Sequence, residues 1–231
     1  MSFFKEKIKE DIVYDEKDRI KEKKHILNGK FEGEYTSYYN SGQIMARLHF
    51  HNGQRDGDAV TYYSDGQIRE KGTFKNDNLE GEYVSYYENG QTREIEYYKN
   101  GKLEGEYRHF FTTGQIREVE NFKDGKFDGD YISYYKTGQI KETGSFKNDE
   151  RNGEYIAYFK SGRIKEKAKY RNGKLIGQFS SFDADAPEYR GDDQENELYS
   201  LADEEDLRDK EKMVDDLLKN LSTFEKGQKD K

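Results

Sequence analysis

Short stretches rich in tyrosine, phenylalanine and isoleucine alternate with polar turns along this chain, and the pattern returns every 24 residues. Glycines keep that spacing from Gly33 to Gly177, and a second series keeps it from Gly42 to Gly162. Six full copies occupy residues 28–171, and part-copies flank them. A fixed period of this length indicates a repeat architecture, so the unit of interpretation is the copy.

Each copy predicts two β-strands joined by tight turns. The first strand has the pattern G-E-Y-x-S-Y-Y, as in residues 81–87, and the second has Q-I-R-E-x-x-x-F, as in 67–74. Asn-Gly or Asp-Gly joins most copies, as at Asn100-Gly101, and these pairs favour type I′ hairpin turns because both residues accept positive φ. The pattern therefore predicts an all-β fold, an elongated single-layer antiparallel sheet of about fourteen strands in tandem 24-residue hairpins.

The length of the turns decides which side chains share a face of this sheet, because adjacent residues point to opposite sides. With two-residue Asn-Gly turns, Phe50 opposes Arg55 and Ala46 opposes Ala59. One face then carries the columns that begin at Phe31, Tyr35, Tyr39, Ile44 and Phe50. The other face carries an aromatic column beside a basic column: Tyr62, Tyr86, Phe110, Tyr134 and Tyr158, with Arg69, Arg93, Arg117, Lys141 and Lys165.

The two ends of the chain depart from the repeat. Residues 1–27 are predicted to be a capping segment with a degenerate copy, in which Lys9 and Asp18 stand at glycine positions. The hairpin repeats span 28–183, and 184–231 form an acidic linker followed by a helix. Apolar residues recur three or four apart from Met213 to Phe224, and Ser200 with Asp203 resembles a capping box, which together predict an amphipathic helix over 198–224.

Composition supports a thin sheet covered by rings and disfavours a thick packed core. Apolar residues make up 32% and charged residues 38% of the chain, yet it has 20 tyrosines and 14 phenylalanines. Residues 183–231 hold seventeen acidic and eight basic side chains, so the net charge of −8 belongs to this tail. The absence of a signal-peptide pattern and of a membrane-spanning apolar run predicts a cytoplasmic protein.

Catalytic chemistry finds little support in the sequence. There is no cysteine, and the four histidines, His25, His49, His51 and His109, do not form a metal-ligand pattern. No phosphate-binding glycine loop or nucleophile elbow occurs, because the repeating glycines are spaced for turns. We therefore expect a protein that is not an enzyme and that has no cofactor and no metal.

The stretch YYENGQTREIEYYKNGKLEGEY at 86–107 resembles the bacterial MORN-repeat variant family, and the resemblance covers about 28–183. It implies that each copy is a β-hairpin and that the stack is one elongated twisted sheet. It also implies an antitoxin-like component of a toxin–antitoxin system, while eukaryotic MORN proteins are described as scaffolding or membrane-associated. The chain departs from the better-known MORN pattern because it has no tryptophan and a period of 24.

The aromatic and basic columns suggest a protein-binding surface, since arginine stacks on rings and still donates to carboxylates. The expected partner is an acidic peptide or helix, with the chain's own C-terminal helix as a further candidate occupant. The alternative is that the two columns only cover each other, with glutamates such as Glu70 and Glu94 balancing the charge. A structural or membrane-surface scaffold is the rival function, and exposed apolar side chains also suggest a homodimer. The acidic isoelectric point disfavours nucleic acid.

Overall fold

The computed structural model describes residues 7–182, and these form a single antiparallel β-sheet. The predicted C-terminal helix lies outside the described residues. In chain order the strands are β1 Lys9–Tyr14, β2 Ile20–Leu27, β3 Lys30–Tyr38, β4 Ile44–His51, β5 Gln54–Tyr62, β6 Ile68–Lys75, β7 Asn78–Leu79, β8 Gly81–Tyr86, β9 Thr92–Lys99, β10 Lys102–Leu103, β11 Gly105–Phe110, β12 Ile116–Lys123, β13 Lys126–Phe127, β14 Gly129–Tyr134, β15 Ile140–Lys147, β16 Glu150–Arg151, β17 Gly153–Tyr158, β18 Ile164–Arg171, β19 Lys174–Leu175 and β20 Ser180–Ser181.

The sheet is a meander in which each strand pairs with its neighbours along the chain. Strands β7, β10, β13 and β16 each continue into the next strand after a break of one residue, and β19 continues into β20 after four. Counted in this way the described sheet has fifteen strands, one more than predicted, because residues 174–181 add a part-copy. The predicted all-β, single-layer, antiparallel hairpin fold is confirmed.

The turns between copies have the backbone that the Asn-Gly pairs predict. Asn100 and Gly101 have φ of 51° and 74°, which fits a type I′ turn. Asp77 replaces the glycine in one copy and still adopts a φ of 66°. Its carboxylate compensates for that strained backbone by accepting hydrogen bonds from the backbone N and from Nε of Arg55, at 2.9 and 3.0 Å.

The predicted pairing of Ala46 with Ala59 is wrong. Phe50 pairs with Arg55 as expected, but Leu48 pairs with Ala59 and Ala46 with Thr61. A bulge around Gly57, whose φ is 121°, adds two residues to one strand. Because the shift is an even number, the side chains of the following residues keep their face.

One face of the sheet carries the core, and we call it the tyrosine face. Leu48, Phe50 and Ala59 are buried there, with rings around them. Phe31 lies 5.1 Å from Phe50 between ring centroids, and Tyr35 meets Phe50 edge-on at 6.0 Å. The predicted sharing of this face by the Phe31, Tyr35 and Phe50 columns is confirmed. Within residues 7–182 the face is held by contacts between rings in neighbouring strands, as expected for a single-layer sheet.

Hydrogen bonds between copies hold the ribbon together along both of its long sides. At the Asn-Gly side, a carboxylate of Glu80 accepts the backbone N–H of Asn100 at 2.8 Å, and Glu104 does the same for Asp124. At the other side, the hydroxyl of Tyr63 donates to the carbonyl of Tyr86 at 2.6 Å. These contacts explain two recurring features of the repeat: the acidic residue before the glycine, and the second tyrosine of the Tyr-Tyr pair. The sequence alone did not reveal either role.

Candidate functional site

The predicted aromatic column lies at one end of the hairpins. Each member closes a first strand of its copy and is half-buried. Tyr62 pairs with Ile68, and the later members pair in the same way with Thr92, Ile116, Ile140 and Ile164. Ile68, Ile116, Ile140 and Ile164 are each about 40% exposed, so this rim of the sheet is apolar.

The basic column makes other contacts than those predicted. Each residue of the basic column is the extra residue of a β-bulge and lies two positions after the end of a turn. These residues are Arg69, Arg93, Arg117, Lys141 and Lys165. The guanidinium of Arg69 lies 5.8 Å from the ring of Tyr63, and Nε of Arg93 lies 3.3 Å from Oγ of Ser85. The cation over the ring of Tyr86 is Lys71, at 5.8 Å.

Arg69 therefore contacts a ring outside the Tyr62–Tyr158 column, and Arg93 contacts Ser85 in the paired strand; partner binding by the two columns stays a prediction. A bulge turns the side chain of its extra residue away from the alternation that a regular strand would give. Arg93 is only 7% exposed and also lies 3.3 Å from the carboxylate of Glu94. This arginine is therefore held within the tyrosine face.

The tyrosine face contains a row in which tyrosines of successive copies alternate with residues that differ from copy to copy. The turn glycines recur in every copy and the rim positions stay aromatic, whereas the residue between the tyrosines changes in size and charge. The tyrosines of the row are Tyr35, Tyr83, Tyr107, Tyr131 and Tyr155, and the residues that alternate with them are Leu48, Gly72, Glu96, Glu120, Gly144 and Ala168. The sequence analysis did not predict this variable position as part of a site.

The middle of the row is acidic, and we call Glu94, Glu96, Glu118 and Glu120 the acidic centre. Glu94 and Glu96 are each 7% exposed. The hydroxyl of Tyr107 donates to Oε1 of Glu94 at 3.0 Å, and the hydroxyl of Tyr98 donates to Glu96. Burial, followed by the charge of nearby glutamates, raises the pKa of Tyr107 far above its usual value, so this hydroxyl stays protonated as a donor.

The second half of the acidic centre lies between two tyrosines. Glu120 pairs with Tyr107, and the register of Glu118 with Ser133 places Glu120 beside Tyr131. Burial, followed by repulsion from Glu118, raises the pKa of Glu120 to about 8. Within residues 7–182 no basic side chain lies within ion-pair distance of Glu120. Without a basic partner in this part of the chain, the carboxyl keeps its proton up to about pH 8.

Two arginines flank the acidic centre along the same face. The guanidinium of Arg55 lies 4.2 Å from the ring of Phe74, and that of Arg151 lies 4.3 Å from Tyr155 and 5.5 Å from Tyr170. A small cleft beside Gly144 is lined by Tyr131, Phe146, Arg151, Tyr155 and Tyr170. The face thus presents rings throughout, with an arginine on either side of a middle that is rich in glutamate.

The described part of the chain offers no group of three or more histidine, aspartate or glutamate side chains arranged to hold a metal ion. Among the same residues there is no helix with the length and apolar character needed to cross a membrane.

The fold defines the class: a tandem β-hairpin repeat protein. Comparison with known families then identifies it. The MORN repeat variant family matches six consecutive segments, 31–52, 55–76, 79–100, 103–124, 127–148 and 151–172. These cover more than half of the chain, and the chain belongs to the MORN repeat variant family. Such repeats are a non-catalytic module often found in protein or membrane interactions.

Similarity to individual proteins is low. No curated protein matches the chain. Among solved structures, a GtfA/B complex bound to UDP and GlcNAc is 15% identical with a TM-score of 0.23, and the match covers 49% of this chain and 22% of that one. A porin-like protein from Bacteroides uniformis is 7% identical with a TM-score of 0.19, covering 74% and 92%. A protein of unknown function from Bacteroides fragilis is 8% identical with a TM-score of 0.14, covering 80% and 96%.

Proposed function

We propose that this protein is a non-enzymatic binding module that holds a protein partner on its tyrosine face. The observation that carries the proposal is the variable row, in which the fold repeats the tyrosines and changes the residues between them. Rings on a rigid sheet supply contact area at low entropic cost, and they are enriched where proteins bind each other. A partner lying across the strands meets a tyrosine every second strand, about 9.6 Å apart.

The charge of the row favours a partner with basic side chains over the acidic peptide or helix that the basic column suggested. Arg93 is 7% exposed and already contacts Ser85 and Glu94, so an acidic partner does not reach it without displacing these groups. Glu120, by contrast, has a pKa raised to about 8 by burial and by Glu118, and a bound cation would favour its ionised form. Complementary charge of this kind steers association and selects the partner.

The antitoxin-like role is one form of the same binding, in which the partner is a toxic protein that the sheet inhibits. Family membership supports the binding module, and inhibition is part of the proposal. Co-expression with the product of the neighbouring gene tests it: growth should depend on this chain, and the double substitution described next should abolish protection. Growth without the chain, or protection unaffected by those substitutions, would argue against an inhibitory role.

The binding proposal is tested by capture from a lysate of the source organism with matched variants. Glu96→Gln together with Glu120→Gln removes two ionisable carboxyl groups with little change of shape. The matched control, Asp130→Asn with Glu154→Gln, alters two exposed carboxylates on the opposite face. We expect the first pair to lose about tenfold or more of the captured partner and the control pair to keep it. Equal capture by both variants would exclude the tyrosine face.

The rival function, a structural or membrane-surface scaffold, draws on the apolar rim formed by Ile68, Ile116, Ile140 and Ile164. An exposed apolar row of this kind favours self-association or contact with another surface. Liposome flotation and sedimentation of the purified chain separate these outcomes. Flotation that is lost in an Ile116→Ser/Ile140→Ser variant would support the scaffold, and a monomer that stays out of the lipid fraction would count against it.

A further inference from the structure

We infer that the tyrosine face carries a subsite for one cationic side chain of the partner, arginine in preference to lysine, formed by Ser133, Glu118 and Glu120 with Tyr131 as its aromatic wall. The inference rests on the proposed function, because it names the chemistry of the partner at one place on that surface. It stands on two independent features: a buried hydroxyl without a partner at Ser133, and a guanidinium that already lies between the equivalent serine, Ser85, and a glutamate of the following strand.

The first feature is Ser133. This serine is 6% exposed, and its Oγ has no hydrogen-bond partner. It pairs with Glu118 on one side and Glu142 on the other, so carboxylates flank it in both neighbouring strands. The hydroxyl lies near enough to Tyr131 to offset part of the rise in the tyrosine's pKa, but outside normal hydrogen-bond geometry. A buried hydroxyl without a partner is unfavourable, and a bound donor would remove that cost.

The second feature is the equivalent position two copies earlier. Ser85 is also flanked by two glutamates, Glu70 and Glu94, and it donates to Oε2 of Glu94 at 2.9 Å. Here the guanidinium of Arg93 completes the arrangement, with Nε 3.3 Å from the serine Oγ and 3.3 Å from the glutamate. The chain itself therefore shows that a guanidinium fits between a serine and a glutamate on this face.

The copy that contains Ser133 has the same serine and glutamate, Ser133 and Glu142, but a lysine in place of the arginine. Lys141 stands where Arg93 stands 48 residues earlier, and its Nζ lies 3.9 Å from Glu142. It leaves the Ser133 hydroxyl without a partner. An ammonium on a flexible stem does not reproduce the planar fork of a guanidinium, which explains why this copy is incomplete.

The surroundings of Ser133 supply what a guanidinium from outside requires. Glu118 accepts from Nδ1 of His109 at 3.1 Å with one carboxylate oxygen, and Glu120 beside it has no basic partner among residues 7–182. A guanidinium at this place donates to the serine Oγ and to the carboxylate of Glu120, while its plane lies against the ring of Tyr131. Lysine satisfies the charge but does not make the paired contacts or the stacking, so arginine is preferred.

The test uses the full chain and a fluorescent Gly-Ser-Arg repeat peptide, with citrulline and lysine versions as probes. Citrulline keeps the shape of arginine and lacks its charge. We expect the arginine peptide to bind about tenfold more tightly than the citrulline peptide, with lysine between them, by fluorescence anisotropy. Ser133→Ala and Glu120→Gln should each weaken binding of the arginine peptide, whereas Glu166→Gln, in the column of Glu118 near the end of the sheet, should not.

The serine variant is expected to fold, because Ala157 occupies the same position one copy later. Equal binding of the arginine and citrulline peptides would overturn the subsite, and so would equal losses in all three variants, which would indicate general attraction to negative charge. If the peptide shows no preference but lysate capture still depends on Glu96 and Glu120, the subsite is wrong and the binding function stands. If the peptide binds as expected and capture does not depend on the face, the proposed function fails instead.

Discussion

Replacing Glu120 by glutamine should stabilise the sheet, and the gain should depend on pH. Glu120 pairs with Tyr107 and lies beside Glu118, and burial with this repulsion raises its pKa to about 8. Glutamine has nearly the same shape and no charge. The substitution therefore removes an unfavourable carboxylate without opening a cavity, which is unusual for a change at a half-buried position.

The sign of the effect follows from proton binding. The folded protein holds a proton on Glu120 up to about pH 8, whereas the unfolded chain releases it near the ordinary value for glutamate, about 4.5. The folded state therefore binds more protons between these values, and the wild-type free energy of unfolding falls as pH rises through that window. Below it the carboxyl is neutral in both states, and the variant should resemble the wild type.

The magnitude is bounded by the displacement of the pKa. A change from 4.5 to about 8 corresponds to at most about 5 kcal/mol, since each pH unit is worth about 1.4 kcal/mol. Partial exposure of the side chain lets solvent screen the charge, so we expect about 2 kcal/mol at pH 8.5.

The measurement is urea denaturation of wild type and variant at about pH 4.5, 6.5 and 8.5, followed by circular dichroism and compared at the transition midpoint. Midpoints are preferable to a single extrapolated free energy because repeat proteins unfold with limited cooperativity. The exposed substitution Glu154→Gln serves as a control and should change stability by no more than about 0.5 kcal/mol. A gain from Glu120→Gln that is equal at all three pH values, or a loss at pH 8.5, would refute the reasoning.

Three further predictions concern the contacts between copies. Glu80→Ala should cost about 1 kcal/mol in denaturation experiments, because the backbone N–H of Asn100 loses its acceptor; an unchanged midpoint would show that water replaces it. Gly129→Ala should destabilise the sheet more than Gly138→Ala, since both have positive φ but only the first places a new Cβ 2.7 Å from Cβ of Asn121; equal midpoints would contradict this. Tyr63→Phe should cost about 1 kcal/mol because the hydrogen bond to the carbonyl of Tyr86 is lost, and hydrogen exchange at neighbouring amides should become faster. The matched control is Phe111→Tyr, which adds a hydroxyl at the equivalent position and should leave exchange unchanged or slower.

Most of the fold could be read from the sequence because its determinants are local and recur. Asn100-Gly101 requires a tight turn wherever it occurs, and the alternation of Phe31, Tyr35 and Phe50 with polar residues sets one ring-bearing face. Six copies carrying the same signals remove the ambiguity that one short hairpin would leave.

The candidate site could not be read in the same way, since it depends on which strands lie side by side. The bulges that turn Arg93 toward Ser85 and Glu94 are visible only when the opposite strand is counted residue by residue. The sequence shows that Glu96 and Glu120 differ from the equivalent residues of other copies. Only the strand pairing shows that each lies between tyrosines of neighbouring strands. The feature of the sequence that could have indicated the site is the repeat position whose residue changes between Leu48, Gly72, Glu96, Glu120, Gly144 and Ala168.

The sequence by itself determined the hairpins, their order and the face that carries the rings, because a chain of β-formers divided by glycine turns has few other ways to pair its backbone. Only the tertiary structure decided which charges are buried and which side chains complete one another. Burial and repulsion at Glu120, and the hydroxyl of Ser133 left without a donor, arise from neighbours that are distant along the chain, and no local pattern encodes them.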